Sequence, residues 1–356
     1  MTQKFTAIFQ PADRKRHLEQ EWLEEIFGPF LDNRITDGEH KVVCDNAIVF
    51  DSFIHTVDPA YYGKFKGKNA FLVQMLDETY AGSYHLYKNF RGVYRNHWSS
   101  VFNPAFVRAL PYGYRIDMDR TQETTPASRR PYLWGFAGAV TRGTRATMAA
   151  ALGKVEPHYF YSSTPRRGHI TPPPETEFGL PGLRYQRILL DSIFTPSPMG
   201  NVNIECYRTY EALECGSIPI VERRLGLDYY KELLGPHPIP TVRSWPEARA
   251  LIGGLLRSPE RLNALQAECI AWWSSKKARL REEIGAFLQE RSMDAASGER
   301  PMYSPWAQSR VWRYGELLRH HDLDAVWRRA MLQASRWTNA SARPAAEDAR
   351  LPRKEG

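Results

Sequence analysis

The sequence predicts an α/β protein made of two similar units and completed by helices. Apolar runs that suit buried strands alternate with helical patterns in residues 5–113, and the alternation restarts at residue 132. A polar segment, residues 117–130, separates the two blocks. The chain of 356 residues also exceeds one ordinary core, since domains of ~100–200 residues are typical. With a boundary near Ser128, the predicted parts are a first unit (1–127), a second unit (128–291), a helical extension (292–337) and a disordered tail (338–356).

The first unit contains apolar runs of strand length, which suit strands buried on both faces of a parallel sheet. Leu18, Trp22 and Ile26 recur at helical spacing, so residues 17–27 predict an amphipathic helix. A further helix candidate starts at Asp77 and Glu78 and extends to residue 90. The predicted strands are residues 5–9, 41–44, 47–50, 70–76 and 93–98, and a segment before Pro111.

The second unit repeats the pattern, and a helical block follows it. We interpret Trp245, Trp272 and Trp273 as core aromatics where the last helices close on the sheet; stacking on sugars is the alternative. The predicted strands are residues 132–138, 158–163, 192–196 and 217–221. The predicted helices are residues 144–152, 184–191, 205–215, 248–256, 261–288 and 305–334.

Charge and composition narrow the classes of partner. The net charge of +8 fits an anionic partner. The sequence contains no run of five like charges, so nucleic acid is not favoured over a phosphate-bearing metabolite. Four cysteines far apart, with no C-x-x-C pair, argue against a zinc knuckle or a disulfide framework. No apolar run approaches the ~18–20 residues of a membrane helix, so we expect a cytoplasmic protein. Peripheral membrane contact through the basic C-terminal helix stays open.

Residues 192–222 carry the most informative pattern, SIFTPSPMGNVNIECYRTYEALECGSIPIVE. A strand ends at Pro196, and the turn at Gly200-Asn201 lets the backbone approach a ligand closely. A helix predicted to begin near Glu205 presents its free amide groups at the sheet edge where anions bind. Arg208 can grip a phosphate with two hydrogen bonds, and Glu211 lies on the same helix face. The alternative is a helix-surface ion pair between Arg208 and Glu211.

The order P-x-G, R-x-x-E-A-L and G-S-I-P-I-V in this stretch resembles the donor-binding half of exostosin-like glycosyltransferases, especially their ribitol-phosphate xylosyltransferase branch. The segments R-x-Y-L-x-x-F-A-G at residues 130–138 and H-P-I-P-x-V-x-S-W at 237–245 agree with it. The resemblance implies a GT-B fold, two Rossmann-like domains that face each other across a cleft. It also implies inverting transfer from a nucleotide sugar, UDP-linked and with xylose or an N-acetylhexosamine as candidates, to a glycan or polyol-phosphate acceptor.

Carried over by position, the resemblance implies roles for individual residues. Glu211 would hold the donor ribose, and Arg208 with the Gly200-Asn201 turn would hold the diphosphate. Gly138 would let a loop reach the leaving group, with Arg142 or Arg145 nearby. Glu205 completes the predicted donor-binding set. Fixed cations and helix amides would replace a divalent metal, so no cofactor is expected. The D-x-D at Asp117 and Asp119 lies in the linker and is a weak metal motif.

An inverting transfer needs a base for the acceptor hydroxyl, and the first unit should supply it. Asp77 and Glu78 follow a predicted buried strand, where open α/β sheets place functional groups, so we choose them as catalytic candidates. His97 and His55 are alternatives. Arg95, His97 and Trp98 are candidates for the acceptor side. A non-catalytic nucleotide-sugar or glycan-binding protein on the same fold is the competing hypothesis.

Overall fold

The architecture comes from a computed structural model. It describes residues 3–10, 19–37, 39–51, 59–78, 80, 82–115, 118–140, 143–163, 180, 182–200, 203–293, 302–304, 309, 312–313, 315–316 and 318.

Six strands of the described first unit form one parallel sheet in the order β2-β1-β3-β4-β5-β6. Nearly every residue of β1, β3, β4 and β5 is buried, as expected for strands covered on both faces. The strands are β1 (Phe5–Gln10), β2 (Leu31–Thr36), β3 (Asn46–Asp51), β4 (Asn69–Gln74), β5 (Gly92–Arg95) and β6 (Val107–Ala109). Its helices are α1 (Gln20–Phe27) and α2 (Pro59–Gly63).

For this unit, two predicted elements are wrong and one strand was not predicted. Residues 41–44 are not a strand, because the Asp37 carboxylate accepts the backbone N–H groups of Lys41 and Val42, which a ladder would need. The edge strand β2 was not predicted, since its residues are polar and mostly exposed. In place of the α-helix predicted from Asp77 to residue 90, the described residues of this segment contain a short 3₁₀ helix, Tyr84–Asn89.

Five described strands of the second unit form another parallel sheet, in the order β11-β10-β9-β7-β8. Four of them match predicted strands. The strands are β7 (Tyr132–Gly138), β8 (His158–Ser162), β9 (Ser192–Ser197), β10 (Ile218–Glu222) and β11 (Thr241–Val242). The helices are α3 (Gly143–Leu152), α4 (Gly182–Asp191), α5 (Tyr207–Glu214), α6 (Tyr229–Leu234), α7 (Trp245–Leu255) and α8 (Pro259–Met293).

Chain order reverses between β7 and β9 in this second sheet, since later strands extend to one side and β8 to the other. Open α/β sheets bind ligands in the crevice at the carboxyl ends of such a pair. The loop after β7 and the loop after β9 both leave the sheet at this edge. The candidate ligand crevice therefore lies between Gly138 on one side and the loop at residues 198–206 on the other.

The long helix α8 connects the two units. Gln266 in its first half binds the backbone carbonyl of Gly216, and Phe287 near its end packs on Phe71 and Tyr94 of the first sheet. The ring of Tyr112 also stacks on that of Tyr207 at 4.4 Å, so the carboxyl edges of the two sheets meet. Two parallel α/β sheets that face each other and share C-terminal helices form the GT-B architecture, and the predicted fold class is confirmed.

The predicted core role of two tryptophans is confirmed. Trp245 and Trp273 are buried, and Trp273 stacks on Trp22 of the first unit at 5.7 Å. The helix predicted over 305–334 and the tail at 338–356 lie largely or wholly outside the described residues. Within the range of the predicted helix, the described residue Trp312 packs against Tyr80 and Tyr84. None of the helices in the described part of the chain has the length and apolar composition needed to cross a membrane.

Arg130 fixes the linker to the second sheet. Its guanidinium is buried and donates to four backbone carbonyls, which belong to Thr125, Leu189, Ser192 and Cys215. A planar fork with five N–H donors suits such a set, which a lysine could not serve. Arg130 therefore has a structural role at the start of the second unit.

We predict that Arg130→Met lowers the free energy of unfolding by ~3 kcal/mol or more, because buried carbonyls lose their donors. Arg187→Met is the matched control, since Arg187 is exposed on α4 and, among the described residues, its ion pair is with Asp191. Its expected cost is within ~0.5 kcal/mol. Urea unfolding of the two variants measures both values, and equal midpoints would contradict the assignment.

Candidate donor and acceptor site

Arg208 lies at the crevice between β7 and β9, in the first turn of α5. Its side chain is only 9% exposed, its guanidinium lies 4.4 Å from the centroid of the Phe136 ring, and Nη2 donates to the Ala137 carbonyl at 3.2 Å. Within the described residues, Nε and Nη1 have no hydrogen-bond partner. Buried polar groups are nearly always paired, so two spare donors on a buried cation suit an anionic ligand.

Gly138 makes room for this arginine at the end of β7. Its φ of +152° favours glycine, and a Cβ there would lie 2.9 Å from Arg208 Nη2. A side chain at this position would displace the guanidinium. The structure thus brings together Gly138 and Arg208, which the sequence pattern placed in one site; their contact with a donor stays a prediction.

Gly200 and Asn203 are in direct contact in the loop after β9. The Gly200 N–H donates to the Asn203 carbonyl at 2.7 Å, and a Cβ on Gly200 would lie 2.7 Å from the Glu205 carbonyl oxygen. Arg145 ties this loop to the one after β7, because Nε binds the Met199 carbonyl and Nη1 the Ala139 carbonyl. Arg145 therefore shapes the crevice. The predicted donor contacts Asn201 and Arg142 lie outside the described residues.

Glu211 is buried beside Arg208 and accepts hydrogen bonds from the Tyr185 hydroxyl and the Arg115 backbone N–H. Burial raises the pKa of its carboxyl, and the charges of Arg115 and Arg208 oppose that rise. Because Arg208 and Glu211 are both buried, the helix-surface ion pair is wrong. Sequence reasoning missed Arg115: it lies just before the linker, and only the fold brings it to Glu211.

Glu205 precedes α5 instead of starting it, and the structure corrects its assignment to the donor-binding set. Its side chain is 1% exposed and accepts from the Tyr112 backbone N–H at 2.9 Å, the Tyr210 hydroxyl at 2.6 Å and the Tyr229 hydroxyl at 2.9 Å. The His97 backbone N–H is a fourth donor. Burial raises the pKa of Glu205 to about 7. All these partners are protein groups, and two of them belong to the first unit.

Asp77 and Arg95 form a buried ion pair at 3.0 Å behind the carboxyl edge of the first sheet. Asp77 also accepts from the Tyr84 hydroxyl, and the Arg95 guanidinium lies against the rings of Tyr84 and Phe102. A paired carboxylate with this burial is badly placed to reach an acceptor hydroxyl. Likewise, Arg95 faces the core instead of the acceptor side on which we expected it.

Glu78 lies at the edge itself and is half-buried. The Tyr112 hydroxyl donates to Glu78 Oε1 at 3.2 Å and lies 2.7 Å from His97 Nε2. Leu76 and His97 hold positive φ angles, and such strained backbone is concentrated at functional sites. The half-buried Trp98 follows in the same loop. Of the catalytic candidates, Glu78 is thus the carboxylate at the edge; its role as base and that of Trp98 in acceptor binding stay predictions.

The second unit carries the match that places the chain among known proteins. Residues 114–293, about half of the chain, match the protein family described as RXYLT1 C-terminal domain. The chain belongs to this family. The match includes Gly138, Arg208 and Glu211, and the resemblance to the ribitol-phosphate xylosyltransferase branch of the exostosin-like proteins is confirmed.

Two curated relatives carry the RXYLT1 name in full. Ribitol-5-phosphate xylosyltransferase 1 of Homo sapiens is 39% identical over 93 residues, which are 26% of this chain and 20% of that protein. The protein of the same name from Mus musculus is 35% identical over 80 residues, 19% of this chain and 18% of that protein. The match thus spans about a fifth of the length of these relatives.

Two solved structures are distantly similar to about four fifths of the chain. An α1,3-fucosyltransferase has a TM-score of 0.47 at 11% identity, over 84% of this chain and 92% of its own. T4 phage BGT in complex with UDP and Mn2+ has a TM-score of 0.46 at 11% identity, over 80% and 99%. At this identity, neither likeness bears on which residues bind a ligand.

The D-x-D of this RXYLT1-family chain is described only at its second aspartate. The Asp119 carboxylate accepts from the Thr121 hydroxyl at 2.6 Å and the Gln122 amide at 2.7 Å, which lowers its pKa to about 2. Asp119 thus stabilises its own turn. Asp117 and His55 lie outside the described residues. Among the residues described, no group of three or more metal-binding side chains occurs.

Proposed function

We propose that this chain is a glycosyltransferase that moves a sugar from a UDP-linked donor to a hydroxyl of a glycan or polyol-phosphate acceptor, with inversion at the anomeric carbon. Family membership supports the reaction class. The observation that carries the proposal is the buried Arg208 guanidinium, with two spare donor nitrogens at the crevice of the second sheet. The names of the curated relatives make UDP-xylose the first donor to test, with a UDP-N-acetylhexosamine as the alternative.

The proposed donor site uses the charges around α5. The leaving UDP gains negative charge as the glycosidic bond breaks, and donors fixed in advance stabilise that charge most in the transition state. Arg208 would supply Nε and Nη1 to the diphosphate, while Gly138 keeps its path clear. The buried Glu211 would be the nearest carboxylate for the donor ribose. We propose that these fixed groups do the work of a metal, so that chelation leaves turnover unchanged.

The proposed acceptor site uses the edge of the first sheet. The acceptor oxygen attacks the anomeric carbon from the face opposite the leaving UDP, and its proton passes to Glu78 as the new bond forms. The Tyr112 hydroxyl, hydrogen-bonded to Glu78 Oε1, would orient the carboxylate. Trp98 offers an apolar ring at the same edge on which an acceptor can stack. The step balances, because the proton of the acceptor hydroxyl ends on the Glu78 carboxylate and UDP leaves as the anion.

A panel of nucleotide sugars tests the proposal. Thermal shift and donor hydrolysis are measured for UDP-xylose, UDP-N-acetylhexosamines and GDP-linked sugars, with and without EDTA. We expect UDP and one UDP-sugar to raise the melting temperature, since a ligand at ~100-fold over its Kd adds ~2.7 kcal/mol. Slow hydrolysis of that donor, resistant to EDTA, would support an enzyme. Binding without turnover with any acceptor would favour the non-catalytic binding protein, and no shift with any nucleotide would refute both.

A further inference from the structure

We propose that Glu205 is a positioning residue. It belongs to the second unit, it holds Tyr112 of the first unit in place, and through Tyr112 it positions the candidate base Glu78. This inference rests on the proposed function. It assigns to Glu205 a role in coupling the proposed donor site around α5 to the proposed acceptor site at the edge of the first sheet.

The contacts of Glu205 cross the junction. Its Oε1 accepts the backbone N–H of Tyr112, a residue of the first unit, and its carboxyl also accepts the His97 backbone N–H of the same unit. From its own unit, the hydroxyls of Tyr210 and Tyr229 donate to Oε1 and Oε2. Four donors from both units thus converge on one carboxyl, which has acceptor sites for about four hydrogen bonds.

Glu205 is also continuous with the donor turn. Its backbone N–H donates to Asn203 Oδ1 at 3.1 Å, and its carbonyl oxygen is one of the atoms that leave no room for a Cβ on Gly200. The Glu205 backbone is therefore in direct contact with Gly200 and Asn203 of the loop after β9, while its side chain reaches the first unit.

Tyr112 completes the connection to the base. Its backbone is held by Glu205, its ring stacks on Tyr207 at 4.4 Å, and its hydroxyl donates to Glu78 Oε1. The second amide held by Glu205 belongs to His97, whose Nε2 lies 2.7 Å from the same hydroxyl. Two routes therefore lead from Glu205 to the position of Tyr112, and one of them passes through the strained backbone of His97.

A glutamine replaces this carboxyl only in part. It offers one acceptor oxygen to four donors, and its NH₂ group can donate to a tyrosine hydroxyl but not to a backbone N–H. The loop that holds Tyr112 would shift, and a displacement of ~1 Å at a reacting group can cost ~10²-fold in rate. The nucleotide contacts of Arg208 and Gly138 do not involve this carboxyl, so donor affinity should be retained.

The test measures kcat and the Kd for UDP separately in Glu205→Gln and Tyr112→Phe. We expect kcat to fall about 10- to 100-fold in each variant, while the Kd for UDP stays within about twofold of wild type. The two residues act as one unit, so the double variant should be no slower than Glu205→Gln alone. Glu214→Gln is the matched control, since this carboxylate binds Trp273 and Lys277 away from the site; its kcat should be unchanged.

Three results overturn the inference: an unchanged kcat in Glu205→Gln, a UDP affinity that falls in parallel with kcat, or multiplicative losses in the double variant. If Glu205→Gln does not fold, Tyr229→Phe removes one donor from the same carboxyl. It should then lower kcat about 3- to 10-fold at constant UDP affinity, and an unchanged kcat overturns the inference. Absence of UDP binding and turnover in the wild type would instead refute the proposed function.

Discussion

Replacement of Glu78 by glutamine is expected to lower kcat by about 10²- to 10⁴-fold, the range that a general base contributes. The amide keeps the size of the side chain but cannot take the acceptor proton. Because Glu78 is half-buried at the edge of the first sheet, we expect little change in stability and none in the affinity for UDP. Single-turnover rates with saturating donor and acceptor measure the effect on chemistry.

The neighbouring residue provides the contrast. Asp77→Asn breaks the buried ion pair with Arg95, and removal of one partner of such a pair typically costs ~3–5 kcal/mol. We therefore expect Asp77→Asn to lower stability strongly, and Glu78→Gln to lower kcat strongly. If Glu78→Gln retained wild-type kcat while folded Asp77→Asn had none, the base would be Asp77 and our reading of the edge would be wrong.

Replacement of Arg208 by methionine is expected to lower kcat/KM by about 10²- to 10³-fold, the cost of removing one preorganised donor to a developing charge. Methionine keeps much of the apolar length that packs on Phe136 but carries no charge. Arg187→Met on the exposed face of α4 is the control, with unchanged kinetics. Steady-state kinetics with the donor found in the nucleotide-sugar panel measure both variants.

A stability change could imitate this loss, so unfolding curves accompany the kinetics. Arg208 makes one hydrogen bond to a backbone carbonyl within the described residues, and its loss should cost ~1–2 kcal/mol at most. A folded Arg208→Met variant with wild-type kcat/KM would remove Arg208 from the donor site.

Much of the fold could be predicted from periodicity. The runs that became β1, β3, β4, β7 and β9 are mostly apolar, as is typical of buried parallel strands. Residues 41–44 have the same local pattern, but Asp37 takes their donors, and that contact depends on tertiary structure. Strand β2 gives no apolar signal because it lies at the polar edge of its sheet.

The candidate site, like the fold, could be predicted only in part from the sequence. The family resemblance assigned Gly138 and Arg208 to one site, and the structure brings them together because Gly138 ends β7, Arg208 lies in the helix after β9, and β7 and β9 are neighbours in the sheet. Arg95 at the end of β5 and Glu205 in the loop before α5 carry charges, yet both face protein partners, and sequence does not fix the direction of a side chain. Tyr112 has no motif: its contacts are with residues distant in sequence, Glu78 in the first unit and Glu205 and Tyr207 in the second.

A ligand series shows whether Arg208 binds the diphosphate of a nucleotide. Calorimetric titration of uridine, UMP and UDP into wild type, Arg208→Met and Arg187→Met separates phosphate contacts from base contacts. We expect UDP to bind wild type and Arg187→Met much more tightly than uridine does, and we expect Arg208→Met to lose most of this difference. The same UDP-to-uridine ratio in all three proteins would contradict this expectation.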